Sequence, residues 1–186
     1  MPIAPPIASC WPSNVFDEAQ NEDPTACWSA FQVRPRCEKS VSRELRKLDT
    51  VGYFLPYAEE TRTYQRRQVT VQNLLFPGYV FAFGASDDVR SCRYTVRGII
   101  NHLQDPDQAS LYGSLATIKK LIDEGTEVTA EQKLKPGMDV EIVSGPLNGL
   151  RGKVIRNSRG LRFLVQLNFI QEAASVAVDG SMVKAV

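Results

Sequence analysis

The chain has 186 residues, of which 43% are hydrophobic and 23% are charged, and its formal net charge is +1. This composition is ordinary for a soluble globular protein and allows one domain or two small ones. The sequence has no run of 18 apolar residues and no basic start followed by an apolar stretch. We therefore expect neither a transmembrane helix nor a secretory signal, and we expect a cytoplasmic location.

The net charge is distributed unevenly along the chain. Residues 1–27 carry −4, residues 28–124 carry +3, residues 125–135 are neutral and residues 136–186 carry +2. Mildly basic segments permit contact with nucleic acid without requiring it.

The cysteines give no sign of a metal site. Cys10, Cys27, Cys37 and Cys92 are widely separated, and His102 is the single histidine. Zinc sites need grouped ligands, so we expect no metal and reduced thiols in place of a disulfide framework.

The first predicted elements follow an extension. Residues 1–26 contain five prolines and no sustained periodicity, which predicts a flexible extension with order beginning at Trp28. The run "CWSAFQVRP" predicts a strand. A helix then starts at Pro35, since apolar residues recur at helical spacing, and Gly52 marks its exit.

Two strands surround a hairpin in the next part of the chain. "YFLPYAEE" predicts a strand that Pro56 interrupts, which favours an edge or a bulge. Residues 61–73 alternate polar and β-branched residues and predict an exposed hairpin or a long loop. "LFPGYVFAFG" predicts the following strand.

Two more helices complete the first domain. Ser86, followed by Asp87 and Asp88, predicts a helix that begins there and runs to about Val96. "GIINHL" predicts a strand, and Ser110 starts a second amphipathic helix. The order β-α-β-β-α-β-α indicates an α+β sandwich with helices packed on one face of the sheet.

Residues 125–135 lack an apolar face and are interpreted as a linker, and residues 136–186 predict a small β-barrel. Short strands in the second segment are separated by Gly-Pro, Asn-Gly, Arg-Gly and Asp-Gly. Within "SGPLNGLRGKVIR", Gly152 is expected at a tight turn with no room for a Cβ atom. Barrel geometry without any binding site explains these glycines equally well, and an aromatic core position explains Phe169 equally well.

The sequence gives no reason to expect an enzyme or a cofactor. It contains no Gly-rich phosphate loop, no HExxH and no GxSxG motif. The adjacent acids Asp87 and Asp88 fit the first turn of a helix better than an acid–base pair.

Several motifs together resemble the NusG family of transcription factors. "WSAFQVRPRCEK" is similar to the opening strand and helix of the family, "LFPGYVF" to the hallmark of its N-terminal (NGN) domain, and "RGIINHL" to a later strand. "DVEIVSGPLNGLRGKV" is similar to the KOW motif. The resemblance covers residues 27–186 and implies an NGN domain at 27–124, the linker, and an SH3-like KOW barrel at 136–186.

The resemblance implies a transcription elongation or antitermination factor. Such proteins bind RNA polymerase through the NGN domain, bridge the DNA cleft and suppress pausing or termination. The clamp coiled coil of the polymerase docks on an apolar patch of the NGN sheet. The positions matching that patch are Gln32, Arg34, Phe76, Tyr79 and Phe81. Strand alternation puts Tyr79 and Phe81 on one face, but it does not say whether helices cover that face.

Further positions follow from the same resemblance. Contacts across the polymerase cleft are implied for Arg90, Ser91, Cys92 and Arg93. Contacts with non-template DNA are implied for Arg43, Lys47 and Arg97, and the hairpin arginines Arg62, Arg66 and Arg67 can act in the same way. For all these charged residues, a solvated helix or hairpin surface is the alternative.

The KOW barrel of relatives recruits a partner such as a ribosomal protein or the Rho terminator. The matching positions are Leu147, Gly152 and Phe169. After Phe169 the sequence departs from the housekeeping pattern and is more similar to specialised paralogues of the RfaH, LoaP and UpxY kind, which act on particular operons. We expect a monomer without membrane contact, and β-branched residues favour a stable barrel over fold switching. The alternative function is a ribosome- or RNA-associated KOW protein with no direct role in elongation.

Overall fold

The computed structural model describes residues 6–18, 25–64, 67–131, 137–145, 147–157 and 160–186. The chain divides into two compact units, Met1–Tyr112 and Gly113–Val186. In the described parts of the chain, no helix combines the length and the apolar character needed to cross a membrane.

The first unit is built on a five-stranded antiparallel sheet. Its strands are β1 (Cys10–Trp11), β2 (Ala26–Val33), β3 (Val51–Phe54), β6 (Tyr79–Ala85) and β7 (Ile99–Gln104), in the order β1-β3-β6-β2-β7. A separate hairpin, predicted as a hairpin or loop, is formed by β4 (Tyr57–Tyr64) and β5 (Arg67–Leu74). The helices of this unit are α1 (Val15–Glu18), α2 (Glu38–Leu45) and α3 (Ser86–Thr95), and α4 (Gln108–Asp123) begins in it and continues into the second unit.

One face of this sheet packs on α2 and α3, as the helical periodicity predicts. Strand residues Phe31 and Val80 lie in one buried cluster with Val41 and Leu45 of α2 and Val89 of α3. Each of these five side chains is fully buried. Burying such side chains stabilises the fold by about 1.5–3 kcal/mol each, so this face forms the main core.

The opposite face of the sheet is lined with aromatic side chains, and we call Trp28, Phe54, Phe81 and Phe83 the aromatic face. Phe16 of α1 covers part of it, with ring centroids 5.0 Å from those of both Trp28 and Phe54. The expectation that helices pack on only one face is therefore incomplete, because α1 lies on the other.

Residues 6–18 differ from the expected flexible extension. Strand β1 pairs with β3, and the Leu55 amide donates to the Ser9 carbonyl at 2.6 Å. Ile7 and Val15 are buried. Isolated apolar residues among prolines have no periodicity, so the sequence pattern could not show that they fill sites on the sheet.

Helix α2 is shorter than predicted, and Gly52 does not mark its exit. The helix ends at Leu45, whereas Gly52 lies within β3. A Cβ atom at Gly52 would lie 2.7 Å from Val15 Cγ2 and 2.9 Å from the Trp11 carbonyl oxygen. This glycine is needed for the close approach of the N-terminal segment.

The second unit contains a six-stranded antiparallel sheet. Its strands are β8 (Val128–Glu131), β9 (Met138–Ile142), β10 (Arg151–Asn157), β11 (Gly160–Leu167), β12 (Glu172–Ala177) and β13 (Val183–Ala185), in the order β13-β9-β10-β11-β12-β8. Strand β8 lies inside the segment interpreted as a linker. Its single large apolar residue, Val128, is buried, but one such residue gives no pattern to detect.

The connection between β12 and β13 requires this sheet to curl. In a flat sheet, the four strand spacings between them would span about 19 Å. The connecting residues 178–182 include a 3₁₀ turn at Gly180–Met182, and the connection can reach only about 18 Å. The sheet therefore closes toward the expected barrel.

The buried side chain of Arg162 links β8 to the neighbouring strands of this sheet. Its Nε donates to Ser175 Oγ at 2.7 Å, and its Nη2 donates to Thr129 Oγ1 at 2.6 Å. These hydrogen bonds join β11, β12 and β8 and compensate part of the cost of burying the guanidinium.

Candidate functional site

The predicted docking residues lie on the aromatic face, away from α2 and α3. In the pairing of β2 with β6, Gln32 is opposite Tyr79 and Ala30 is opposite Phe81. Directly opposed residues of an antiparallel pair share a face. Val80, which alternates with Tyr79 and Phe81, points instead into the core under the helices.

Phe76 and Phe81 are too deeply buried to contact a partner, which corrects their predicted role. Phe81 is 0% exposed and Phe76 is 1% exposed. Their rings pack edge to face with centroids 5.6 Å apart, and Phe81 also lies 6.5 Å from Phe54. The two rings support the surface from below.

The accessible end of the aromatic face consists of Gln32, Arg34 and Tyr79. Gln32 and Arg34 are exposed and Tyr79 is half-buried. We call these three residues the accessible end. It combines an aromatic ring with amide and guanidinium donors, which is the composition of an interface rim next to an apolar centre.

The Pro-Gly of the "LFPGYVF" motif fixes this end of the sheet. The Tyr79 amide donates to the Phe76 carbonyl at 3.1 Å, and Gly78 has φ 88°, as position i+2 of a type II turn requires. The buried carboxylate of Glu38 accepts from the Gly78 amide at 2.8 Å. The Val33 amide donates to the Gly78 carbonyl at 2.8 Å. The turn therefore holds Tyr79 beside Gln32.

The α3 candidates divide into exposed and buried residues. Arg90, Ser91 and Arg93 are exposed, as a contact surface requires. Cys92 is 1% exposed and faces the core three residues after Val89, so its predicted contact role is wrong. Burial, followed by the nearby Asp88 carboxylate, raises the pKa of the Cys92 thiol.

The basic candidates in and directly after α2, and those of the hairpin, are partly engaged within the chain. Lys47 Nζ lies 2.7 Å from Glu44 Oε1, and Arg62 Nη2 lies 2.7 Å from Glu60 Oε2. Arg97 is exposed and Arg43 is half-buried. Arg66 lies outside the described residues, and only the backbone of Arg67 is described, within β5.

The three candidates in the second unit have different environments. Leu147 is buried at the wall of an apolar cavity of about 130 Å³, which also contacts Ile142 and Met182. Gly152 lies within β10 and not at a turn, and a Cβ atom there would be 2.6 Å from Phe163 Cζ. Both roles are therefore in packing. Phe169 is half-buried in a 3₁₀ turn at Asn168–Ile170, not in a strand.

Glu172, three residues after Phe169, makes the stability of the second unit pH-dependent. Burial raises the pKa of its carboxyl from 4.5 to about 7. Between these values the folded state binds more protons than the unfolded state, so stability falls as pH rises. We expect the unit to be less stable at pH 8 than at pH 5. Thermal unfolding of Glu172→Gln should show a weaker decline, and parallel pH profiles for the two proteins would contradict this assignment.

Comparison with known proteins finds a matching family model and similar solved structures. Residues 26–109 match the family model described as "NusG: Transcription termination factor nusG". A search among curated proteins gives no match. Similar solved structures include "Domain interaction in Thermotoga maritima NusG", 22% identical over 87% of this chain and 97% of that chain, with a TM-score of 0.48. Another is "Crystal Structure of MjSpt4:Spt5 complex conformation B", 20% identical over 86% and 96%, with a TM-score of 0.31.

The family match includes the strands that carry the accessible end. It spans β2 to β7, whereas residues 6–18 and the second unit lie outside it. Over residues 26–109, the chain is similar to the NusG family.

Proposed function

We propose that this protein is a transcription elongation and antitermination factor that binds RNA polymerase through its first unit and acts on particular operons. It bridges the DNA cleft and suppresses pausing or termination. The match of residues 26–109 to the NusG family model supports the proposal. The single observation that carries it is the accessible end, where the exposed Gln32 and the half-buried Tyr79 lie beside a packed aromatic layer.

The chemistry of the accessible end suits a helical partner such as a coiled coil. The Tyr79 ring offers apolar area at a low cost in side-chain entropy, and its hydroxyl can remain in contact with water. Gln32 and Arg34 provide donors for polar or acidic side chains at the edge of the partner. The buried Phe81 ring prevents the surface from collapsing, so the binding conformation is preformed.

Retention of the protein by purified RNA polymerase tests the docking assignment. We expect Tyr79→Ala to weaken binding by tenfold or more, at the level of an interface hot spot of about 2 kcal/mol. Tyr79→Phe keeps the ring and should bind nearly as the wild type does. Gln32→Ala should also weaken binding, and Gln104→Ala, at an exposed glutamine at the far end of β7, is its matched control.

A specific outcome would contradict the assignment of the accessible end as the docking site. If Tyr79→Ala and Gln32→Ala bind polymerase as the wild type does, while their thermal unfolding is unchanged, the accessible end is not the docking site. Phe81→Ala is unsuitable for this purpose because its loss of packing would reduce binding through unfolding.

We further propose that Phe169 is the contact point for a partner of the second unit. It is the most accessible of the three predicted positions, because Leu147 is buried and Gly152 has no side chain to offer. Its 3₁₀ turn presents the ring between β11 and β12. A ribosomal protein or Rho is the kind of partner that the family resemblance implies.

A further inference from the structure

The β4–β5 hairpin has little attachment of its own to the rest of the first unit. It forms a two-stranded sheet separate from the five-stranded one. Among its described side chains, at residues 57–63 and 68–74, none is buried. A two-stranded hairpin by itself is only marginally stable in water. The direction of the hairpin therefore has to be set by contacts made at its base.

The N-terminal segment supplies such contacts at Ile7. The Ile7 amide donates to Gln72 Oε1 at 3.2 Å, and Gln72 Nε2 donates back to the Ile7 carbonyl at 3.1 Å. The Tyr57 hydroxyl donates to the same carbonyl at 2.8 Å. Since Gln72 lies in β5 and Tyr57 in β4, both strands of the hairpin are bonded to one residue. Ile7 is itself 7% exposed, and its side chain belongs to the main core.

The next two residues are bonded to β3 and to the residue after it. The Tyr53 hydroxyl donates to the Ala8 carbonyl at 3.3 Å, and the Leu55 amide donates to the Ser9 carbonyl at 2.6 Å. Strand β1, which follows directly, pairs with β3. This short stretch of chain is therefore bonded to both the sheet and the hairpin, and we call residues 7–9 the clamp.

The hairpin leads directly into the Pro-Gly turn that holds Tyr79. Strand β5 ends at Leu74, and the Leu75 amide donates to the Pro56 carbonyl at 3.0 Å, which closes the base of the hairpin. Phe76 follows as the first residue of the Pro-Gly turn, and Tyr79 is its last. The position of the hairpin and the position of the turn are therefore linked through the chain.

We propose that the clamp positions the β4–β5 hairpin at the Pro-Gly turn and so prepares the accessible end for polymerase. A hairpin that can swing about its base has to be ordered when a partner docks next to it, and this ordering reduces affinity. With the clamp closed, the ordering takes place during folding. The effect on polymerase rests on the function proposed above, whereas the fixing of the hairpin does not. The family match begins at residue 26 and gives the clamp no role.

Hydrogen exchange of the full chain tests the clamp without any partner. Gln72→Ala removes both bonds to the Ile7 backbone, so the amides of β4 and β5 should exchange about tenfold faster. The Ile7 amide should exchange faster as well. Tyr57→Phe removes one bond and should give a smaller increase in the hairpin. The amides of β2 and β6 should keep their wild-type rates, because the core of the sheet is unchanged.

Asn73→Ala is the matched control for Gln72→Ala. Asn73 is the next residue of β5, and its Nδ2 donates to Glu60 Oε2 at 2.8 Å within the hairpin. Gln72 Nε2 also lies 3.5 Å from Glu59 Oε1, so each substitution removes one contact between β4 and β5. Only Gln72→Ala removes the contacts with Ile7 as well. Asn73→Ala should therefore leave the exchange of the Ile7 amide unchanged.

Two results would overturn the clamp. One is equal exchange of the hairpin amides in Gln72→Ala and Asn73→Ala. The other is an equally large increase in β2 and β6, which would show that Gln72 supports the fold as a whole and not the hairpin in particular.

Retention by purified RNA polymerase tests the effect on docking separately. Gln72→Ala should bind about threefold more weakly than wild type, Tyr57→Phe should change binding in the same direction, and Asn73→Ala should bind as wild type does. Wild-type retention of Gln72→Ala, in spite of a released hairpin, would contradict the link between the clamp and docking. If the wild-type chain is not retained at all, the proposed function fails, and the exchange rates still decide whether the clamp exists.

Discussion

Phe81→Ala is expected to lower the free energy of unfolding of the first unit by about 3–5 kcal/mol, the usual cost of truncating a buried phenylalanine. Phe81 is 0% exposed, and its ring packs against Phe54 and Phe76. Removal of the ring leaves a cavity beneath the accessible end that neighbouring strands cannot close without breaking their ladder.

Urea unfolding followed by tryptophan fluorescence measures this effect, because Trp28 lies in the same aromatic layer, with its ring centroid 5.3 Å from that of Phe83. The control is Tyr94→Ala, which removes an aromatic ring that is 81% exposed and should change stability by less than about 0.5 kcal/mol. Similar losses for the two variants would show that Phe81 is not part of a packed layer.

The second large effect is expected at Gly152, where alanine should destabilise the second unit by about 1–3 kcal/mol through overpacking. The added Cβ atom would lie 2.6 Å and 2.9 Å from two atoms of the Phe163 ring. That ring is itself buried, and the Leu164 carbonyl oxygen is only 3.2 Å from the new atom. Either the ring or strand β11 has to move.

Gly113→Ala is the matched control for this substitution. Gly113 lies in α4, and a Cβ atom there meets nothing within 4 Å. Alanine at this helical position should stabilise the protein by about 0.5–1 kcal/mol. Thermal unfolding of both variants compares them directly, and a neutral Gly152→Ala would show that the strand has room for the Cβ atom.

The sequence predicted elements well where periodicity or turn chemistry is local. The strand at β2, the helix starting at Ser86 and the Pro-Gly turn before Tyr79 follow from residues that determine their own backbone. The face that Tyr79 and Phe81 occupy did not follow, because alternation defines two faces without saying which one the helices cover. Only the pairing of β2 with β6, together with the packing of Val80, resolves this.

The sequence failed where burial depends on a distant part of the chain. Ile7 and Val15 are scattered apolar residues. They become buried only because the N-terminal segment packs against β3, where Gly52 leaves room for it. Cys92 matched a contact position of the family by sequence, but the helical register turns it into the core.

The proposed role in elongation is tested most directly by the lifetime of pauses of purified RNA polymerase on a template with defined pause sites. The full chain should shorten the pauses, and Tyr79→Ala should abolish this effect at the same concentration, whereas Tyr79→Phe should retain it. Pauses that are unchanged by the wild-type chain, together with its co-sedimentation with ribosomes, would contradict this role and indicate a ribosome-associated protein.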